Sequence, residues 1–295
     1  MQRRHINPID TVATSSGTSV LLGVASLIAS IAAPGGAIAT SALWLIMAVA
    51  MLPVIRHYNL SQSNSPIACA MFLMLQAAMT PIIYWPVSSW LLAATGLAGC
   101  ALLFSVFQNQ QSARPLFTLT FMSGIGMMFN WVFIPLTVIF MIGAAQMRSL
   151  NMRSAVAMLL GLVTGPLLIY GFGLRQPAIP DMPYFAIDAT AEPHLYLSAG
   201  FSAICSIVFG GCCMLTSYGY QAKLRAFNAF IYLLTAMAIC ATIADSGNTG
   251  YYITLLNMCA AYHTGHFIMS RSRGWIAVAV TITAISALYV WNSWM

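Results

Sequence analysis

Residues 114–148 read RPLFTLTFMSGIGMMFNWVFIPLTVIFMIGAAQMR, and the stretch between the two terminal arginines has no charged side chain. One helix needs about 20 apolar residues to cross a bilayer, so residues 115–147 are too long for one ordinary span. Cationic loops stay on the cytoplasmic side of a membrane, which puts Arg114 and Arg148 on the same side. The stretch must therefore cross an even number of times, which predicts a helical hairpin.

Three residues offer the bend of this hairpin: Gly124, Gly126 and Asn130. Each arm then has about 14 to 17 residues, or about 21 to 26 Å at the helical rise of 1.5 Å per residue. Such arms are short for a full crossing. Two alternatives stay open: the arms cross the bilayer fully, or they are re-entrant and covered by protein or water.

The composition of the whole chain also indicates a membrane protein. It is 60% hydrophobic and only 5% charged, with a mean hydropathy of +0.84. Soluble domains carry about 25% charged residues, so a bilayer is the expected solvent. The formal net charge is +6, but the basic residues are scattered singly or in pairs. Without a basic patch, nucleic acid is not an expected partner.

Nine further apolar runs flank the hairpin and complete the predicted architecture. With the two arms they make eleven hydrophobic arms in an all-α, polytopic helix bundle, a single integral membrane domain over residues 1–295. The runs are 19–33, 37–55, 67–84, 89–107, 155–174, 195–217, 226–244, 251–270 and 275–291.

The charges between these runs predict the orientation. Ten of the eleven Lys and Arg residues fall at one set of boundaries, and four of the five acids fall at the alternate set. Because Lys and Arg in short loops set orientation, this pattern predicts a multi-pass protein of the bacterial inner membrane with its N-terminus inside and its C-terminus outside. The ten cations are Arg3, Arg4, Arg56, Arg114, Arg148, Arg153, Lys223, Arg225, Arg271 and Arg273.

The first apolar run has a second interpretation. Arg3 and Arg4, a short apolar core and the small residues Ala37 and Ala39 are typical of a cleavable secretory signal. The polar lead before the core is long for a signal, so we favour a retained helix. Cleavage would leave the topology of the other arms unchanged.

The densest polar cluster lies in the predicted outer loop after residue 174. Such a cluster could bind a metal, act as a general base or hold a sugar or phosphate headgroup. No ligand spacing is recognisable, so ordinary solvation of the loop is the favoured interpretation. The outer candidates are Arg175, Asp181, Asp188, Glu192, His194 and, at the end of the ninth run, Asp245.

Five polar residues inside the apolar runs form the second candidate set: Gln76, Asn130, Asn257, His263 and His266. A histidine within a span is costly and marks a functional hypothesis, here a proton relay or a substrate contact. Interfacial or helix-packing roles are the favoured alternative, because both histidines lie close to Arg271. Gln76 and Asn130 are expected to form hydrogen bonds between helices.

The seven cysteines all lie in apolar runs and show no CxxC spacing. They are expected to be small core residues, so neither a disulfide framework nor a zinc site is predicted. We expect no cofactor and no metal.

One region shows a resemblance to known families. Residues 102–174 contain an apolar span, the link 108–114, a hairpin with Gly124, Phe129 and Pro135, the basic link 146–153, and then residues 160–166, LGLVTGP. This order resembles an uncharacterised polytopic inner-membrane family of Bacteroidota. More weakly, it is similar to the membrane half of GT-C glycosyltransferases, which use polyprenyl-phosphate sugar donors.

The GT-C resemblance implies a catalytic carboxylate in the first outer loop. That loop is only Pro34-Gly35-Gly36 and has no acid. A catalytically silent relative or accessory protein therefore fits better than an enzyme.

Three functional hypotheses follow. The leading one is a GT-C-like scaffold or accessory protein in envelope glycan or lipid assembly, with the bilayer, a polyprenyl-phosphate-linked sugar or lipid and a membrane protein as partners. The second is a small-solute or lipid transporter with a polar cavity around Asn130, Asn257 and His263. The third is a structural subunit of a membrane complex, which needs no site.

Overall fold

The structure, a computed structural model, describes residues 15–32, 38–60, 66–79, 88–109, 112–173, 193–217, 219–270 and 274–294. Every regular element in these ranges is helical, which confirms the all-α class. The eleven α-helices of the described ranges are α1 (Ser16–Ala32), α2 (Ile38–His57), α3 (Ile67–Ala78), α4 (Ser88–Ser105), α5 (Ala113–Phe129), α6 (Phe133–Gln146), α7 (Met152–Gly171), α8 (Pro193–Ser217), α9 (Ala222–Ala244), α10 (Thr249–Ser270) and α11 (Gly274–Trp294), with a short 3-10 helix at Ser246–Asn248.

The helix bounds follow the predicted apolar runs closely. The first run forms α1, and the other helices begin and end within a few residues of their runs. The exception is the third run, predicted to extend to residue 84, because α3 ends at Ala78 and residues 80–87 lie outside the described ranges. Among the described residues, four segments are long and apolar enough to cross a membrane: α2, α7, α9 and Tyr196–Ser217 of α8.

Two helices, α3 and α10, form the centre of the bundle. Every residue of α3 is buried, and α10 is buried without interruption from Tyr252 to His266. α10 contacts α3, α4, α8, α9 and α11, while α3 also contacts α1, α2 and α11. The sequence of α3, IACAMFLMLQAA, suits this position because it is apolar on almost every face. α10 is equally enclosed but carries several polar residues.

The predicted hairpin is present as α5 and α6, which are separated by a turn at Asn130. Gln108 N donates to the Met147 carbonyl at 2.9 Å, and Ser112 Oγ donates to the Ser149 carbonyl at 2.9 Å. These bonds join the residues before α5 to those after α6, so the chain returns to the end where it began. The arms have 17 and 14 residues, or about 25 and 21 Å.

The basic residues gather at one end of the bundle. The Tyr58 ring lies 5.4 Å from Phe104 and 5.7 Å from Phe227, and Phe107 lies 5.6 Å from Phe227. These contacts and the hairpin bonds place the last turns of α2, α4 and α6 beside the first turns of α5, α7 and α9. We call this the cationic end, because it holds Arg56, Arg114, Arg148, Arg153, Lys223 and Arg225.

The other end of the bundle holds a different set of contacts. Asn292 Nδ2 donates to the Ala78 carbonyl at 2.8 Å and lies 3.1 Å from Ser198 Oγ. The last turns of α3 and α11 therefore meet the first turns of α8. Asp245, which follows α9, lies at this end, and it is the one acid that the described ranges contain.

Candidate functional site

Most of the predicted outer cluster falls in the part of the chain that the structure does not describe. Arg175, Asp181, Asp188 and Glu192 lie outside the described residues, and of His194 only its position in the first turn of α8 is described. The metal, general-base and headgroup interpretations of that loop therefore stay predictions. Within the described residues, no group of three or more His, Cys, Asp or Glu side chains could hold a metal ion.

Gln76 and Asn257, which are 181 residues apart in the chain, meet in the centre of the bundle. Asn257 Nδ2 donates to Gln76 Oε1 at 3.1 Å and lies 3.2 Å from Met79 Sδ. Ser202 Oγ donates to Asn257 Oδ1 at 2.6 Å. We call Gln76, Asn257 and Ser202 the amide cluster. It joins α3, α8 and α10, as expected for polar side chains that hold apolar helices together.

Asn130 is not part of that cluster. It lies in the turn between α5 and α6, where its Oδ1 accepts a hydrogen bond from Val132 N at 3.2 Å. Its side chain is half-buried and satisfies the backbone of the turn. Asn257 and His263 project from different faces of α10, since six residues at 100° each leave them about 120° apart. The structure thus does not bring Asn130, Asn257 and His263 around one cavity.

His263 faces α9. Its Nε2 lies 3.0 Å from Thr235 Oγ1, and the same hydroxyl donates to the Ile231 carbonyl at 2.8 Å. A hydroxyl has a single hydrogen, so when Thr235 donates it to Ile231, Nε2 carries the ring proton and donates it to Thr235. His263 Nδ1 is then a bare acceptor, and it is buried without a partner among the described residues.

His266 is 3% exposed, and neither of its ring nitrogens has a hydrogen-bond partner among the described residues. One nitrogen must donate and the other accept, and each unpaired buried group costs about 1–3 kcal/mol. The ring centroid lies 5.8 Å from that of Tyr220 and 6.1 Å from that of Tyr262. Within the described part of the chain, the His266 side chain therefore has ring contacts and no hydrogen bond.

Tyr262 connects the two histidines with α9. Its ring lies 5.4 Å from that of His263, and its hydroxyl donates to Asn228 Oδ1. Asn228 Nδ2 is buried and has no partner among the described residues. We call His263, His266, Tyr262, Asn228 and Thr235 the histidine cluster. It lies toward the cationic end of α10.

Asp245 caps the last turn of α9 at the opposite end. The residue is 4% exposed, and its Oδ2 has no hydrogen-bond partner among the described residues. Burial raises the pKa of this carboxyl above its usual value, and hydrogen bonds from Asn248 oppose that rise. Asp245 is therefore easier to protonate than an exposed carboxylate.

A lateral groove of about 300 Å³ lies between α8, α9 and α10, on the side of the bundle. This volume is at the lower end of the range of about 300–1,000 Å³ for ligand pockets. Ile243, in its wall, is 69% exposed, so the groove opens sideways onto the apolar surface. It is lined by Tyr196, Ala199, Gly200, Ala203, Ile239, Thr242, Ile243 and Leu256.

The sequence pattern missed several members of these clusters. Asn228 carried a usable signal, because an asparagine in the first turns of an apolar run is uncommon. Ser202 and Thr235 carried none, since Ser and Thr are frequent in apolar helices, where they bond to the carbonyl four residues back. Most residues of the groove are apolar or small and have no signal of their own.

No known protein family, curated protein or solved structure matches the chain.

Proposed function

We propose that the chain is a multi-pass protein of the bacterial inner membrane, with its N-terminus inside and its C-terminus outside. Two observations support this proposal. Four segments of the described residues are long and apolar enough to cross a membrane, and the packing gathers six cations at one end and the buried acid at the other. A cytoplasmic cationic end agrees with the distribution of Lys and Arg in short loops.

Cysteine labelling tests the orientation. In a cysteine-free background, Gln108→Cys and Gln221→Cys place an exposed thiol at the cationic end, and Gly247→Cys places one at the opposite end. An impermeant thiol reagent should label only the Gly247→Cys variant in intact spheroplasts, and all three after lysis. Labelling of the Gln108→Cys variant from outside would contradict the proposal.

The function that the geometry supports best is a scaffold or accessory protein in envelope lipid or glycan assembly that holds the chain of a lipid and has no catalytic centre of its own. The lateral groove carries this proposal. Its walls are apolar, and its mouth opens between helices whose outer faces carry exposed Ile204, Val208 and Ile243. A ligand that enters from this side comes from the bilayer and must be apolar.

The occupant we propose is one acyl or prenyl chain, since the groove lies along the helices and is only about 300 Å³ in volume. The groove ends beside Thr242 and Tyr196, near the end of the bundle that holds Asp245. A headgroup at that end would lie on the outer face, where polyprenyl-linked sugars are used in the GT-C-like hypothesis.

Two glycines of α8 allow a matched test. A Cβ at Gly200, in the groove wall, meets nothing within 4 Å, and neither does a Cβ at Gly211, which lies outside the groove on the same helix. Gly200→Phe should fill the groove without distorting the backbone, and Gly211→Phe is the control. Native mass spectrometry of the purified variants should show co-purified lipid in the wild type and in Gly211→Phe, and loss of it in Gly200→Phe.

The lipid mass identifies the source as phospholipid or polyprenyl phosphate. Equal lipid in both variants would overturn the groove proposal. An envelope defect with Gly200→Phe at matched expression supports the role in assembly.

A transporter is the second candidate, favoured by the buried polar residues of α10. That function predicts that His263→Ala damages the cell more than Gly200→Phe at matched expression. If both changes are silent, a structural subunit is the remaining hypothesis.

A further inference from the structure

The two histidines of α10 differ from Asn257, a buried polar residue of the same helix, in what they contact. Asn257 has protein partners for both its amide nitrogen and its oxygen. His263 Nδ1 and both nitrogens of His266 have none among the described residues, although the two side chains are only 2% and 3% exposed. Packing alone would favour an apolar residue at position 266, because an unpaired buried group destabilises the fold.

These unpaired nitrogens follow one another in space from the cationic end toward the middle of α9. His266 is the nearer to that end, and its ring contacts Tyr220, a partly exposed residue in the link before α9. His263 is one turn further in, and side chains three apart on a helix have Cβ atoms about 5–6 Å from each other. Beyond it, Nε2 of His263 meets Thr235 near the middle of α9.

We propose that His266 and His263 form a binding site for one exchangeable proton, which is loaded from the cationic end. A proton from water beside Tyr220 forms an N–H bond on the bare nitrogen of His266. His266 then releases the hydrogen of its other nitrogen to Nδ1 of His263, either directly or through one water. His263 becomes an imidazolium that donates to Thr235, and His266 returns to its neutral form. One proton enters and no other bond changes.

The surroundings set the capacity of the site at one proton. Among the described residues, the titratable groups that face the pair are the hydroxyls of Tyr220, Tyr232 and Tyr262 and the thiol of Cys213, whose Sγ contacts the His263 carbonyl. No carboxylate of the described ranges lies there, since Asp245 is at the opposite end. Two positive charges on adjacent buried rings would repel each other, so a second proton is disfavoured.

Histidine NMR of the intact protein in lipid nanodiscs tests the capacity without changing the site. Replacing His5, His57 and His194 by Gln leaves only the pair to be labelled with ¹⁵N. As the pH is lowered, while tryptophan fluorescence shows that the protein stays folded, both rings should respond together and take up one proton in total. Rings that stay neutral throughout, or that bind two protons independently, would overturn the proposal.

Single variants test the direction of loading. His266→Gln should slow the exchange of the His263 Nε2 proton with water at least about tenfold, a rise of about 1.4 kcal/mol in the barrier. Cys213→Ala is the control, because it removes a contact to the His263 backbone and not to its ring. Thr235→Val should let His263 adopt the Nδ1–H tautomer, and the exchange of its ring proton with water should stay fast. Unchanged exchange in His266→Gln would show that both histidines are packing residues only.

Discussion

Two helix pairs in this bundle differ in what is added to close contact at small residues. In the central pair, α3 and α10, a Cβ added at Gly265 would lie 2.8 Å from Ala68 Cβ, and the amide cluster adds hydrogen bonds from Asn257 to Gln76 on one side and to Ser202 on the other. The outer pair, α5 and α7, meets through glycines, with backbone against backbone. A Cβ added at Gly161 would lie only 2.4 Å from the Phe117 carbonyl oxygen.

The difference follows from how much of each helix is enclosed. α7 packs mainly on α5 and leaves an apolar outer face, including Leu160 at 57% and Leu167 at 60% exposed. In an apolar solvent, burying the surface of such a helix contributes little free energy. Close van der Waals contact at small residues must therefore hold α7 to α5. α10 has neighbours on all sides and can carry polar groups whose partners are also enclosed. The enclosed helix α10 is thus the one that can carry polar and titratable side chains inside the bundle.

The largest expected effect tests the glycine contact. Gly161→Ala must push α7 away from α5, because its Cβ would also lie 2.4 Å from Thr120 Oγ1. Overpacking of this kind costs about 1–3 kcal/mol, and a contact with backbone atoms is at the upper end. The unfolding free energy in detergent micelles measures it.

The control for this prediction is on the same helix. A Cβ at Gly171 meets nothing within 4 Å, so Gly171→Ala should change the unfolding free energy little or raise it. Equal effects at the two positions would mean that close backbone contact does not hold α7 to α5.

The sequence was sufficient to predict the elements but not the partners. A hairpin was required because Arg114 and Arg148 lie on either side of one long apolar stretch. Its turn is at Asn130, one of the three residues proposed for it. The pairing of Gln76 with Asn257 depends instead on which helices become central, which a single apolar run does not encode. The two asparagines therefore have different structural roles: Asn130 forms a local turn, and Asn257 forms a bridge between helices.

A smaller effect is expected from breaking the amide cluster. Asn257→Ala leaves Gln76 Oε1 and the Ser202 hydroxyl without their partner and should cost about 1–3 kcal/mol. In a double-mutant cycle with Gln76→Ala, the coupling should be about 0.6 kcal/mol and at most about 1.7 kcal/mol, the range found between helices in membranes. A coupling of zero would mean that the bond adds nothing to stability, and the central pair would then be held by apolar packing alone.

The smallest expected effect is at Asp245, where the chain enters the polar helix α10. Burial raises the pKa of this carboxyl in the folded state above its value in the unfolded chain. The favourable contribution of Asp245 to folding stability is therefore complete below the unfolded pKa of about 3.9, and it is lost as the pH rises through the folded pKa.

Asp245→Asn, which resembles the protonated acid, should raise the thermal midpoint at pH 7, and the gain should shrink toward pH 4. Asn248→Ala removes the side-chain hydrogen bond that lowers this pKa and keeps the backbone one, so it should enlarge the loss of stability with rising pH. If Asp245→Asn lowers the midpoint equally at both pH values, burial does not set the contribution of Asp245, and the carboxyl makes contacts that the amide cannot replace.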